Sequence, residues 1–281
     1  MSIIDEELAK AFIDDPDNVD LSEATEITDE AAEILGQCNA RDLHVDGLKR
    51  LSVVAAGALS NFEGEQIHLN GLCDVSDDVI KALAGKKAGL DLSSLCAISD
   101  DVLELLVRGR RKFLSLGLQQ LSEEQAKILE FFHGKNLALD SVGEISDTVA
   151  ESLAGLSVKR LSLGGLHEFS ESVAERLGSL AAKELTLPGA LRISRAALEK
   201  LFGAHFRDGS SELLLTGKIL LPDYAPEYPG QIDAYERVYT ESVINGIRMR
   251  EWLAEDPKYR CSDIDGRVLT LLAAELLGSS G

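Results

Sequence analysis

The sequence predicts an α/β repeat fold in which short parallel strands alternate with short helices. Three observations predict it. A frame written L-x-L-x-x-L-x-x-I-S recurs from Val19, Leu43, Ile67, Leu90, Leu114, Leu137, Leu161 and Leu185, with successive starts 24, 24, 23, 24, 23, 24 and 24 residues apart. Each copy opens on two apolar residues with one residue between them, the period of a half-buried strand. Each closes on Ser or Thr followed by an amphipathic run, which marks a helix start. A unit this small cannot bury its own apolar face, so neighbouring units must stack and share a core.

Residues 1–18 precede the first unit. Ile3, Ile4, Leu8, Phe12 and Ile13 predict a short amphipathic helix over residues 3–13 that covers the first coil, with Pro16 marking its break. The repeat region spans 19–215. Its strand pairs are Val19/Leu21, Leu43/Val45, Ile67/Leu69, Leu90/Leu92, Leu114/Leu116, Leu137/Leu139, Leu161/Leu163 and Leu185/Leu187. The turn that follows carries Ala24, Leu48, Leu72, Leu95, Leu118, Val142, Leu166 and Ala190. Next come Thr28, Ser52, Ser76, Ser99, Ser122, Ser146, Ser170 and Ser194. A hydroxyl there accepts from a free N–H of the first helical turn. Acidic pairs such as Asp77–Asp78 and Asp100–Asp101 follow and face the positive helix end.

Seven residues beyond each cap stands a leucine, from Leu35 through Leu201, which with its i−3 and i−4 neighbours makes one buried helical face. Basic residues follow many of the helices, and the run Arg108–Lys112 is read as a complement to a negative helix end rather than a nucleic-acid patch. The unit at Leu114 is one residue short before its cap, so its turn is expected to be tighter. The unit at Leu185 runs on through HFRDGSSE to a last strand at Leu213–Leu215.

The columns resemble the leucine-rich repeat family in its bacterial, short-helix form. The resemblance implies a right-handed solenoid with a parallel concave sheet, convex helices, and helical caps at both ends. It also implies a non-catalytic protein-binding module. The family often places Asn or Cys where this chain has Leu48, Leu72, Leu95 or Leu166, so an apolar ladder is expected to fill that turn.

Residues 216–281 differ in kind, holding all five tyrosines and Trp252. An extended PDYAPEYPG is expected first, then a helix from about 232 to 254 burying Tyr235, Val238, Tyr239, Val243, Ile247 and Trp252. A second helix is expected over Asp263–Leu277. The segment reads as a cap, as a docking or dimerisation surface, or as both, since aromatic residues are enriched in interface cores.

The formal charge is −20. Such a chain repels nucleic-acid phosphates and anionic lipid, so neither is expected as a partner, and it suits a basic protein partner. No apolar run reaches membrane-spanning length. The four cysteines form no C-x-x-C pair, and the acidic N-terminus does not read as a signal peptide, so a reducing, cytoplasmic setting is expected. Cys73 and Cys96 share a column in adjacent coils; free thiols and a disulfide formed after oxidation both remain open. No phosphate loop, nucleophile elbow or H-E-x-x-H helix is present, so no cofactor and no enzymatic activity are expected.

The candidate site is the residue between the two strand apolars. Down the stack that column reads Asp20, His44, His68, Asp91, Ser115, Ala138, Ser162 and Thr186. A neighbouring column adds Asp46, Asn70, Ser93 and Asp140. Parallel neighbours lie about 4.8 Å apart, which lines Asp20, His44, His68 and Asp91 in a row. The first reading is a polar, partly acidic face for a protein partner, with Tyr224 and Tyr228 as further candidate contacts. One alternative is a metal-binding protein or hydrolase using the His44/His68/Asp row. The other is a structural homo-oligomer, for instance a homodimer, through the C-terminal segment.

Overall fold

In the computed structural model the described residues are 2–85, 88–187, 190–192, 197, 200–201, 212–215, 218–220, 239–244, 247–252 and 263–264; side chains are described through Leu187 and at Ala197, Lys200 and Leu201. The chain divides into two compact units, Met1–Ser141 and Val142–Gly281. The fold is α/β, with helices alternating with parallel strands in a solenoid-like repeat.

In the first unit, β3 (Asp42–His44), β4 (Gln66–His68), β5 (Gly89–Leu92), β6 (Phe113–Leu116) and β7 (Asn136–Ala138) lie side by side in parallel. Leu43, Ile67, Leu90, Leu114 and Leu137 stand in register and are buried. A parallel pair needs a long crossover, and each crossover carries a helix: α3 (Val53–Leu59), α4 (Asp77–Leu83), α5 (Asp100–Arg108) and α6 (Glu123–Leu129). Consecutive helices pack against one another. Their leucine column, Leu59, Leu83, Leu106 and Leu129, is buried, each side chain contributing about 2 kcal/mol by leaving water. The turn column is an apolar ladder as expected, with Leu48, Leu72, Leu95 and Leu118 buried.

The serine column does sit at the helix starts. Ser52 and Ser122 accept from the N–H groups of Ala55 and Gln125, and Gln125 completes a capping box with Ser122. Ser76 and Ser99 make no such bond. Ser99 donates instead to Asp77 of the preceding helix at 2.7 Å. Ser52 does the same toward Asp29. An acidic residue at the first helical position therefore serves two ends, the dipole of its own helix and the hydroxyl of the next coil. In the short coil, the Gly117 N–H bonds Leu92 O at 3.1 Å, and a Cβ at Gly117 would stand 2.3 Å from Ser93 O. The tighter turn thus requires glycine.

The N-terminus departs from expectation. Ile3–Ile4 form a strand, β1, paired in parallel with β2 (Glu26–Ile27). The helix α1 therefore starts later, at Glu6, and ends at Asp14; Asp5 caps it by accepting from Leu8 N–H. It packs on α2 (Asp29–Leu35) with Ala9 and Phe12 buried. Val19–Leu21 form no strand. The Asp20 carboxylate accepts from Ser22 N–H at 2.8 Å and Ala24 N–H bonds Leu21 O, so a side-chain-closed turn replaces the ladder there. Leu21 is buried all the same.

Two helix exits share an aromatic–glycine order, Phe62-x-Gly64 after α3 and Phe132-x-Gly134 after α6. Phe62 and Phe132 are buried, and a Cβ at Gly64 or Gly134 would meet their rings at 2.3 and 2.2 Å. In the coil after α5 the order is inverted. Gly109 stands in the aromatic column and Arg111 in the glycine column, with the Arg111 guanidinium 3.0 Å from where a Gly109 Cβ would be. Arg111 is buried; its Nε donates to Leu106 O at 3.2 Å and its Nη2 to Ala84 O at 3.0 Å.

In the second unit, α7 (Asp147–Ala154) and α8 (Glu171–Gly178) pack together. The strands β8 (Arg160–Ser162), β9 (Glu184–Leu187), β11 (Glu212–Leu215) and β14 (Ile247–Trp252) run parallel, and β13 (Tyr239–Ile244) pairs antiparallel with β14. A smaller sheet joins β10 (Ala190–Arg192), β12 (Lys218–Leu220) and β15 (Asp263–Ile264). The helix expected over about 232–254 is thereby corrected, for the described residues, to the strand pair 239–244 and 247–252, and Asp263–Ile264 form a strand rather than the start of a helix. Between the paired residues Ile244 and Ile247 the sequence reads Asn245-Gly246, a strong hairpin dipeptide. The flanking Thr240, Val243, Ile244 and Ile247 are β-branched. The rest of the expected C-terminal helix, the extended PDYAPEYPG and Ser194 lie outside the described residues.

Candidate functional site

The site is built on β3, β4 and β5, whose register sets His44 beside His68 and His68 beside Asp91. The two imidazoles stack, with centroids 4.3 Å apart and planes 11° from parallel. His68 Nδ1 lies 3.3 Å from Asp91 Oδ2, and His44 Nδ1 lies 3.5 Å from Asp46 Oδ2. Asp91 Oδ1 accepts from Ser93 N–H at 3.3 Å, while Ser93 Oγ donates to Asn70 Oδ1 at 2.7 Å. The sequence placed Ser93 in the neighbouring column but not among the candidates. Its role follows only once the coils are stacked.

Burial grades the row. The His44 side chain is 58% exposed, against 19% for His68 and 16% for Asp91. The hydrogen bond to Asp91 lifts His68 above the usual imidazole value; burial opposes this, and the charges of Asp91, Asp46 and Asp42 assist. Burial pushes the Asp91 carboxyl up, but hydrogen bonds from His68, Ser93 and Asn70 outweigh it and hold the group below its ordinary value. Asp20 is also held low, by hydrogen bonds from Ser22.

Beside β3 lies a cavity of about 790 Å³ lined by Asp17, Asp20, Asp42, His44 and Asp46 together with Phe12 and other neighbours. Asp20 reaches the site through this cavity rather than through a strand. Asp140 is exposed two strands beyond Asp91 and joins none of the bonds just described. Tyr224 and Tyr228 lie outside the described residues.

Chemically, the row offers carboxylates and imidazoles to a cation or a donor-rich side chain. Its dyad has no nucleophile: among the described residues, no hydroxyl or thiol is hydrogen-bonded to His68. Among the described residues, no group of three or more His, Cys, Asp or Glu is arranged to hold a metal ion. Cys73 and Cys96 are free and exposed. No described helix is long and apolar enough to cross a membrane. No family model matches the chain, and no curated protein matches it.

Proposed function

We propose that this chain is a non-catalytic interaction module, and that the β3–β5 face with its adjoining cavity receives a basic segment of a protein partner. The observation that carries the reading is the convergence of Asp17, Asp20, Asp42 and Asp46, against the one cation Arg41, on one cavity of about 790 Å³, continuous through His44 with the His68–Asp91 pair. Lys and Arg side chains complement such a surface, and complementary charge speeds encounter and selects partners. The repeat columns support the leucine-rich-repeat assignment, with a right-handed solenoid and strands on its inner side. That fold is commonly used for protein recognition, though fold alone does not set function.

The test is affinity capture from the source cell, followed by titration of the captured protein against the purified chain. Three baits are used: the intact chain, Asp17→Lys/Asp42→Lys, and Tyr224→Ala/Tyr228→Ala. Asp91 is left in place because its carboxylate holds His68 and Ser93. A partner lost with the charge reversal and kept with the tyrosine variant supports the reading. A partner lost only with the tyrosine variant moves recognition to residues 216–281, and no titratable partner overturns it.

A further inference from the structure

A second cavity, of about 690 Å³, lies at the exits of α5 and α6 and carries the opposite charge. Its lining includes Arg108, Arg110, Arg111, Lys112, His133 and Lys135. This is a local concentration of cations in a chain of net charge −20. Arg108 is paired with Glu104. Among the described residues, the side chains of Arg110, Lys112 and Lys135 have no hydrogen bond or ion pair. Arg111 complements helix ends, bonding carbonyls at the exits of α4 and α5; Arg110 and Lys112 make no such bond.

Arg111 is the independent observation. It lines the cavity, it is 1% exposed, and its Nη1 has no partner among the described groups. A buried guanidinium with a free donor and no carboxylate is costly unless something anionic compensates it. The exits of α3 and α6 carry Phe62 and Phe132 at the position that Gly109 takes here, so packing alone does not require an arginine. Phe131, 65% exposed, supplies an aromatic surface on the same wall.

We propose that this cavity binds a small phosphate monoester carrying an aromatic group. Guanidinium and ammonium groups together suit a phosphate dianion, and the volume falls within the roughly 300–1,000 Å³ of small-ligand sites. A long polyanion would meet the repulsion of the whole chain. A compact phosphate within a screening length of about 8 Å sees mainly the local cations.

The test titrates the full chain with phenyl phosphate, inorganic phosphate and phenol by calorimetry at fixed ionic strength. Phenyl phosphate should bind saturably at one site, inorganic phosphate more weakly, and phenol not at all. The exposed double variant Lys112→Ala/Lys135→Ala should weaken phenyl phosphate about tenfold or more, roughly 1.4 kcal/mol. Arg111→Met should do the same, and Lys49→Ala/Arg50→Ala, elsewhere on the surface, should leave it unchanged. If Arg111→Met does not fold, the lysine pair decides alone. Absence of saturable binding, or binding untouched by the lysine variant, overturns the proposal. So does a short oligonucleotide that binds more tightly than phenyl phosphate.

Discussion

The imidazole of His44 lies flat on that of His68, 4.3 Å between centroids, and Asp91 holds His68 from the neighbouring strand at 3.3 Å. The contact follows from register alone, since one residue per strand faces solvent at each level of a parallel sheet. An exposed ring, a part-buried ring and a part-buried carboxylate thus form one continuous row.

That row makes stability depend on pH. His68 is raised above the ordinary imidazole value, chiefly by the Asp91 hydrogen bond. A raised imidazole stabilises the fold fully below the unfolded value, and the contribution fades as pH rises through the folded one. His68→Gln should therefore cost more stability near pH 5.5 than near pH 8, where the neutral ring has lost its charge-assisted bond. Asp91 stays ionised throughout, because its own value is lowered and its contribution is lost only in stronger acid. Urea unfolding at the two pH values measures the difference. An equal cost at both would show that the pair is not charge-linked.

The caps separate into two kinds. Ser122 accepts from Gln125 N–H at 3.0 Å within a capping box, whereas Ser76 occupies the same position without a cap bond. Ser122→Ala should cost about 1 kcal/mol, the usual worth of a hydroxyl cap, and Ser76→Ala distinctly less. Chemical denaturation of the two variants compares them directly. Reversal of the order would mean that the cap bond is not what the hydroxyl at this position contributes.

What the sequence could reveal tracks the range of each interaction. The coil is written within 24 residues, so the strand pairs, the leucine column and the serine caps were legible from periodicity. The His44–His68–Asp91 row was legible too, because identical columns of a parallel stack become neighbours. Val19–Leu21 misled, since an apolar pair does not reveal that Asp20 will bond Ser22. Across 239–244 and 247–252 the apolar spacing also fits a helical period, which hides the antiparallel pair that the two segments form. Arg111 was hidden in a basic run because nothing local tells a buried cation from three exposed ones. Only alignment with Phe62-x-Gly64 and Phe132-x-Gly134 exposes the inverted order Gly109-x-Arg111.

That inversion makes a prediction about the core. Arg111→Gly alone removes a buried side chain and leaves Leu106 O and Ala84 O without their guanidinium donors, a loss of about 2–4 kcal/mol. Gly109→Phe alone forces a ring into the space the guanidinium fills, since even a Cβ there would stand 3.0–3.1 Å from its nitrogens, and overpacking costs about 1–3 kcal/mol. Together the two changes rewrite the coil as Phe-x-Gly, the order used by the coils on either side of α4 and α5. Gly109 has φ −59° and ψ 138°, extended backbone that phenylalanine adopts without strain. The double variant should therefore lie within about 1 kcal/mol of the parent, with a coupling between the sites of roughly 2 kcal/mol or more in a double-mutant cycle. Additive losses would show that the two exits are not interchangeable, and that Arg111 is held by its carbonyl bonds rather than by the space it fills.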